Sequence, residues 1–264
     1  MDNKKRLLIK YSLEFIVIVV GISFTFWIDE WNRNRLEKIQ HIKDIESIID
    51  DLENDSLIIG KVNVSLDTGR VRSKRLIDLI ELRSDKKITY KKFYEGIINV
   101  GYVWTYQTFF MTDATYKSLI SNGRINLFPQ KIHSLMNKYY EATAKRISDH
   151  NKIVDDIAIK YYGSYHPFVT LFSYENFNNN IVQDVRLGVR GGGLSFDNLS
   201  EKKFNKFFEN QDMKKLYSSI HFYSNSINLS NRVGNYTRRI AELDSERGEL
   251  SKSIHQYLNF LVND

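Results

Sequence analysis

Hydrophobic residues follow two patterns along this chain. Between Phe15 and Ile28 they form an almost unbroken run without a charged residue, whereas elsewhere they recur every three or four positions. The second pattern is typical of amphipathic helices that bury one face. Only two prolines, Pro129 and Pro167, interrupt the chain, and proline is the residue that most strongly breaks a helix. We therefore predict a mostly α protein.

The apolar run predicts a transmembrane anchor over residues 7–31, because its flank from Leu7 supplies the length that the run itself lacks. The run is apolar on every side and gives way to charged sequence at Asp29. No small-residue cleavage pattern follows it, so we expect the anchor to be retained. A buried core helix is the alternative. The residues assigned to the anchor are Phe15, Ile16, Val17, Ile18, Val19, Val20, Gly21, Ile22, Trp27 and Trp31.

Charge alone does not orient the anchor. Basic residues lie on both sides of it: Lys4, Lys5, Arg6 and Lys10 precede the run, and Arg33, Arg35, Lys38 and Lys43 follow it. Because the positive-inside rule compares such counts, the two orientations are nearly balanced.

An amphipathic helix is predicted to continue from the anchor to about Ile59, which makes one rod of about 80 Å from Leu7. Gly60 and Gly69 are expected to interrupt it. Its charged face is interpreted as solvated, including the acidic cluster at residues 50–55, which lacks the spacing of a calcium loop. The charged residues of that face are Glu37, Lys38, Lys43, Asp44, Glu46, Asp50 and Asp51.

A second long helix is predicted from about Asp212 to Leu261, antiparallel to the first. The region at 167–200 is rich in glycine and asparagine and is predicted to be an irregular excursion. Shorter helices lie between: one over residues 71–82 that ends at 84–87, one capped by Thr89, one from Asp113 that stops at Asn122 and Gly123, one from Pro129 to about Tyr162, and one capped by Ser200.

Residues 14–22 followed by Trp31 and Asn32 resemble the N-terminal signature of a Bacteroidota family of single-pass membrane proteins that carry a helical domain of unknown function. Residues 116–127, which lead to Tyr139 and Tyr140, resemble an internal motif of the same family. The chain departs from that pattern before the tryptophan, where Phe24, Phe26, Trp27 and Asp29 replace the usual small and amide residues.

The resemblance implies an inner-membrane (cytoplasmic membrane) protein with its N-terminus in the cytoplasm. Residues 1–6 would form a short basic cytoplasmic tail, residues 7–31 the anchor, and residues 32–264 a helical domain in the periplasm. No reaction is implied.

The candidate chemistry is sparse. Cysteine is absent, which excludes disulfides, thiolate metal sites and a cysteine nucleophile. The six histidines show neither i, i+4 nor HExxH spacing, and His150, near Asp149 and Asp155, is the most plausible ligand or base among them. The net charge of +6 is spread among 32 acidic residues without a recognisable binding module, so no nucleic acid is expected. We predict no catalytic residue, cofactor or metal site.

An aromatic segment is the candidate partner-binding site, since tyrosine and tryptophan combine a stacking face with a polar tip. Packing in the core is the alternative. The segment consists of Tyr102, Trp104, Tyr106, Phe109 and Phe110.

These patterns favour an envelope interaction, scaffold or sensor protein that acts by binding rather than catalysis. Its expected partners are membrane lipid, and a second protein or a second copy of the chain. One alternative is an envelope glycan-active enzyme whose site is assembled from distant residues. Another is a basic module that faces the cytoplasm and binds nucleic acid or anionic lipid.

Overall fold

The computed structural model of the chain describes residues 3–101, 103, 108–168 and 198–263. Within these residues the regular elements are helices, without a β-strand. The predicted mostly α fold is therefore confirmed, and the helices pack as a bundle. Most of the predicted excursion at 167–200 lies outside the described residues.

The first helix, α1, is a single element of 82 residues, Asn3–Ser84. It is about 120 Å long at the standard rise per residue. The interruptions predicted at Gly60 and Gly69 are wrong, because a glycine inside a helix costs only about 1 kcal/mol, which buried neighbours such as Ile59 and Leu66 offset. The predicted end is confirmed: α1 stops at Ser84, and Lys86 adopts a left-handed φ of 59°.

The last helix, α8 (Ile220–Asn263), runs antiparallel to α1. His41 of α1 lies 3.0 Å from the Tyr257 hydroxyl of α8. At the other end of the pair, the Tyr223 hydroxyl donates to Glu81 over 3.3 Å. Because the residue number falls along α8 as it rises along α1, the predicted antiparallel packing is confirmed.

The long C-terminal helix starts later than predicted. The helix before it, α7 (Gln211–Tyr217), ends at Tyr217, and the break lies at Ser218 and Ser219. The Ser219 hydroxyl accepts a hydrogen bond from the Phe222 amide over 3.2 Å, which caps the start of α8. Hydrophobic spacing continues through this break, so the sequence pattern did not reveal it.

Shorter helices fill the space between α1 and α8. Thr89 caps α2 (Tyr90–Val100) as predicted, by accepting from the Lys92 amide. Gly123, with φ of 69°, follows α3 (Ala114–Ser121). Ser200 lies inside α6 (Asn198–Glu209), so its predicted role as a cap is wrong. The elements are α2 (Tyr90–Val100), α3 (Ala114–Ser121), a 3-10 turn (Arg124–Leu127), α4 (Gln130–Asn137), α5 (Ala144–Lys160), α6 (Asn198–Glu209) and α7 (Gln211–Tyr217).

Two π-helical turns flank α5: Lys138–Thr143 and Tyr161–Tyr165. Each contains two successive tyrosines that are both buried. Neighbouring side chains of an α-helix point about 100° apart. A π turn is wider and has more residues per turn, so two successive side chains point in more similar directions and can be buried together. The tyrosines are Tyr139 and Tyr140 in the first turn, and Tyr161 and Tyr162 in the second.

The core begins ten residues beyond Trp31. From His41 onward, one face of α1 is buried against α8 and the shorter helices. Asp44 is only 5% exposed, so its predicted place on a solvated face is wrong. Its carboxylate forms an ion pair with Arg124 at 2.8 Å and accepts from the Gln40 amide at 2.9 Å.

Candidate functional site

The first candidate site is the apolar stretch, defined here as residues 13–31 of α1. Every side chain in it is exposed. Val17, Ile18, Val19 and Val20 are 69, 60, 43 and 60% exposed, and four successive residues of a helix point in four directions. The predicted anchor residues therefore lie together on one helix, away from the core, and the buried-core alternative does not apply to them.

The uncharged part of the apolar stretch is short. Within the described part of the chain, no helix combines the length and the apolar character that a membrane span requires. Between Glu14 and Asp29 the uncharged portion covers only residues 15–28. That is about 21 Å of helix, whereas the hydrocarbon core of a bilayer is about 30 Å thick. This finding does not support the single-pass span expected from the sequence.

The predicted aromatic segment is only partly visible, since Tyr102, Trp104 and Tyr106 lie outside the described residues. Phe109 is buried, and its backbone is held on both sides: its amide donates to the Tyr236 hydroxyl at 2.8 Å, and its carbonyl accepts from Asn151 at 2.7 Å. This side chain belongs to the core, in line with the packing alternative. Phe110, in contrast, is 73% exposed.

A second candidate site lies where α1 ends and α8 begins. It is a cavity of about 800 Å³, which we term the distal cavity. Its volume falls within the roughly 300–1,000 Å³ of small-molecule sites. Sequence patterns could not reveal it, because its walls come from residues 80–93 and 217–223, which lie more than 120 positions apart. Ile80, Phe93, Tyr217 and Ile220 give it apolar lining, and Glu81, Arg83, Ser84, Asp85, Lys86, Ser218, Ser219 and Tyr223 give it polar lining.

Charges of both signs surround the distal cavity, but they are not all engaged. Asp85 pairs with Lys87 at 2.9 Å, and Glu81 accepts from Tyr223. Lys86 forms no ion pair with any described residue, so its ammonium group is available to a ligand. An apolar wall beside both charge signs suits a peptide-like group that carries an amine, a carboxylate and a side chain.

The acidic cluster of α1 contributes a buried carboxylate. Asp55 is fully buried, so its interpretation as part of a solvated face is wrong. Its two oxygens accept from the Thr112 amide and the Tyr139 hydroxyl, each at 2.8 Å. Burial raises the pKa of Asp55, and these hydrogen bonds oppose that rise. One oxygen thus connects α1 to the segment before α3, and the other connects it to the π-helical turn that contains Tyr139.

A buried histidine lies near the distal cavity. His166 is fully buried among Tyr161, Phe168, Tyr217 and Phe222. Its Nδ1 lies 3.0 Å from the Tyr217 hydroxyl, and its Nε2 has no hydrogen-bond partner among the described residues. Burial lowers the pKa of His166 to about 3, so the ring is neutral at physiological pH. A neutral ring in an apolar cluster acts here as a packing residue.

Within the described residues, no three carboxylate or histidine side chains converge as metal ligands would. No protein-family model, curated protein or solved structure matches the chain.

Proposed function

We propose that this chain is an interaction, scaffold or sensor protein that a lipid bilayer holds by the apolar stretch, and that acts by binding rather than catalysis. One observation carries the proposal: the apolar stretch is exposed around its whole circumference. A partner helix would cover one side of it, whereas lipid surrounds a helix on every side.

The proposed anchor includes the flank that precedes the apolar stretch. Counted from Leu7 to Trp31, the helix has 25 residues, or about 37 Å, which exceeds the hydrocarbon thickness. Trp27 and Trp31 at its end suit the membrane interface. By resemblance to the Bacteroidota family, we place the N-terminus in the cytoplasm and the body in the periplasm, at the inner membrane.

The proposed binding role rests on the distal cavity. It lies at the far end of α1, about 80 Å from Trp31 at the standard rise. The deeply buried Asp55 is saturated by structural hydrogen bonds, which favours binding over carboxylate catalysis. The proposed partner is a protein segment that inserts into this cavity.

Membrane attachment is tested with two variants, each of which introduces one positive charge at a different position on α1. Val17→Lys puts an ammonium group in the apolar stretch, whereas Val64→Lys puts it on the body, where the valine is 60% exposed. We expect Val17→Lys to shift the protein from the membrane pellet to the carbonate-soluble fraction and Val64→Lys to leave it in the pellet. Equal behaviour of the two variants would refute the anchor.

Orientation can be tested cleanly because the chain has no cysteine. A single cysteine at the exposed Arg70 should react with a membrane-impermeant maleimide in intact spheroplasts. A second variant with a cysteine at Asn3 should react only after lysis. The reverse pattern would place the body in the cytoplasm.

Partner binding is tested with two exposed isoleucines. Ile220 lines the distal cavity and is 68% exposed, and Ile159 lies on α5 and is 60% exposed. A photo-crosslinking residue at position 220 should give a discrete adduct that the same residue at 159 does not give. Identical adduct patterns would remove the distal cavity from the proposal.

A further inference from the structure

A small basic cavity lies between α5 and α8, apart from both the apolar stretch and the distal cavity. Its volume is about 210 Å³, and we term it the basic cleft. Arg232, Asn235 and Arg239 follow i, i+3, i+7 spacing, which places them on one side of α8. Arg238 comes from the same helix, and His150 comes from α5.

The positive charge of the basic cleft is incompletely neutralised. Arg239 pairs with Glu242, but Arg238 bonds only the neutral amide of Asn235. Arg232 has no ion-pair partner among the described residues. Guanidinium groups that line the same small cavity repel one another unless an anion lies between them. The cleft therefore has a surplus of at least two positive charges.

His150 adds a directed polar group to the cleft. Its Nδ1 lies 2.9 Å from the backbone carbonyl of Arg146, which is a bond that Nδ1 donates. The other ring nitrogen, Nε2, is an acceptor in the neutral ring, so it can accept a hydrogen bond from the P–OH group of a monoprotonated phosphate. Ile153 and Val154 supply apolar lining. Apolar surface beside the charges lowers the local dielectric and so strengthens the electrostatic attraction of an anion.

We propose that the basic cleft binds a phosphate group. Guanidinium forks match phosphate oxygens bidentately, and a phosphate carries about two negative charges at neutral pH, which matches the surplus. The volume is below the roughly 300 Å³ at which sites for whole organic ligands begin. The cleft thus accommodates free phosphate, or the terminal phosphate of a larger molecule whose remainder stays outside.

The test is calorimetric titration of the full chain in a non-ionic detergent, at constant ionic strength set with chloride. Inorganic phosphate, glycerol 3-phosphate and acetate are the three probes. We expect saturable phosphate binding and at least tenfold weaker acetate binding. Stronger binding of glycerol 3-phosphate than of inorganic phosphate assigns the cleft to a phosphorylated molecule. Stronger binding of inorganic phosphate assigns it to free phosphate. No saturable binding, or equal binding of acetate, would overturn the proposal.

Variants connect the binding to the cleft. Arg232→Gln and Arg239→Gln should each weaken phosphate binding about tenfold, while Arg232→Lys, which keeps the charge but loses the fork, should weaken it less. The matched control is Arg70→Gln, because Arg70 is 72% exposed on α1 and pairs only with Asp67. Circular dichroism checks that each variant is folded. A similar loss in Arg70→Gln would show that the binding is non-specific attraction to the basic surface.

Discussion

At the residue scale, two acidic side chains on α1 are buried although the helical pattern groups them with solvated residues. Asp44 meets Arg124, and Asp55 meets Thr112 and Tyr139. Each of the two carboxylates has at least one partner far along the chain, and such partners make burial of a charge tolerable. Periodicity locates a residue on a face of its own helix but says nothing about partners 57 to 84 residues away.

Asp55→Ala should lower the free energy of unfolding by about 3 kcal/mol, because it leaves the Thr112 amide and the Tyr139 hydroxyl without an acceptor. Tyr139→Phe removes only the Tyr139 hydroxyl and should lower the free energy of unfolding by about 1 kcal/mol. Urea denaturation measures both. Asp50→Ala is the control, since Asp50 is exposed on the same helix. A loss as large in Asp50→Ala would contradict the assigned role of Asp55.

His166 should make stability fall in mild acid. Its pKa is about 3 in the folded chain and 6.5 when unfolded, so its contribution is complete above pH 6.5 and is lost as the pH falls from 6.5 towards 3. Between pH 7 and pH 5 the loss should be about 2 kcal/mol. Burial also lowers the pKa of His41, so this residue too should make stability fall in acid.

The contribution of His166 is isolated by comparing pH profiles of the unfolding free energy. His166→Phe should flatten the profile between pH 7 and 5 by about 2 kcal/mol. Tyr217→Phe removes the hydroxyl beside Nδ1 but keeps the titrating ring, so it should retain most of the slope. Parallel profiles for the parent and His166→Phe would mean that the buried ring does not stay neutral.

At the element scale, helix ends were predictable where a local signal exists. Thr89 and Gly123 mark their ends because a hydroxyl cap and a left-handed φ are properties of single residues. The break at Ser218 and the continuity of α1 through Gly60 were missed. At both places, tertiary packing outweighs a weak local conformational preference.

The same substitution should act with opposite sign at two glycines. Gly60→Ala should stabilise the chain by about 1 kcal/mol, because the site is helical and a Cβ there meets nothing within 4 Å. Gly123→Ala should destabilise it by about 1 kcal/mol, because φ is 69°. Thermal unfolding of both variants measures the difference. A stabilising Gly123→Ala would show that the left-handed turn is not maintained.

At the scale of the whole molecule, the chain divides into a covered body and an uncovered stretch. The side chains described from Tyr11 to Gln40 are exposed, and the core starts at His41. The sequence indicates this division, because the uncharged run and the amphipathic pattern each extend over many residues and are easily distinguished. The distal cavity and the basic cleft could not be predicted, because each forms only where distant helices meet.

Removal of residues 1–34 should therefore leave the body folded. We expect its free energy of unfolding in urea to change by less than about 0.5 kcal/mol, as for surface changes in general. The need for detergent should disappear at the same time. A loss of several kcal/mol would mean that the apolar stretch packs on the body.

The continuity of α1 has a mechanical consequence. From Trp31 to Ser84 the helix continues without a break for about 80 Å. A rotation of the apolar stretch by about 5° moves the far end of such a lever by about 7 Å. That displacement is more than one full turn of helix. If the proposed anchor lies in a bilayer, small changes in its tilt, of the kind that bilayer thickness imposes on an embedded helix, would thereby become large changes in where the distal cavity lies.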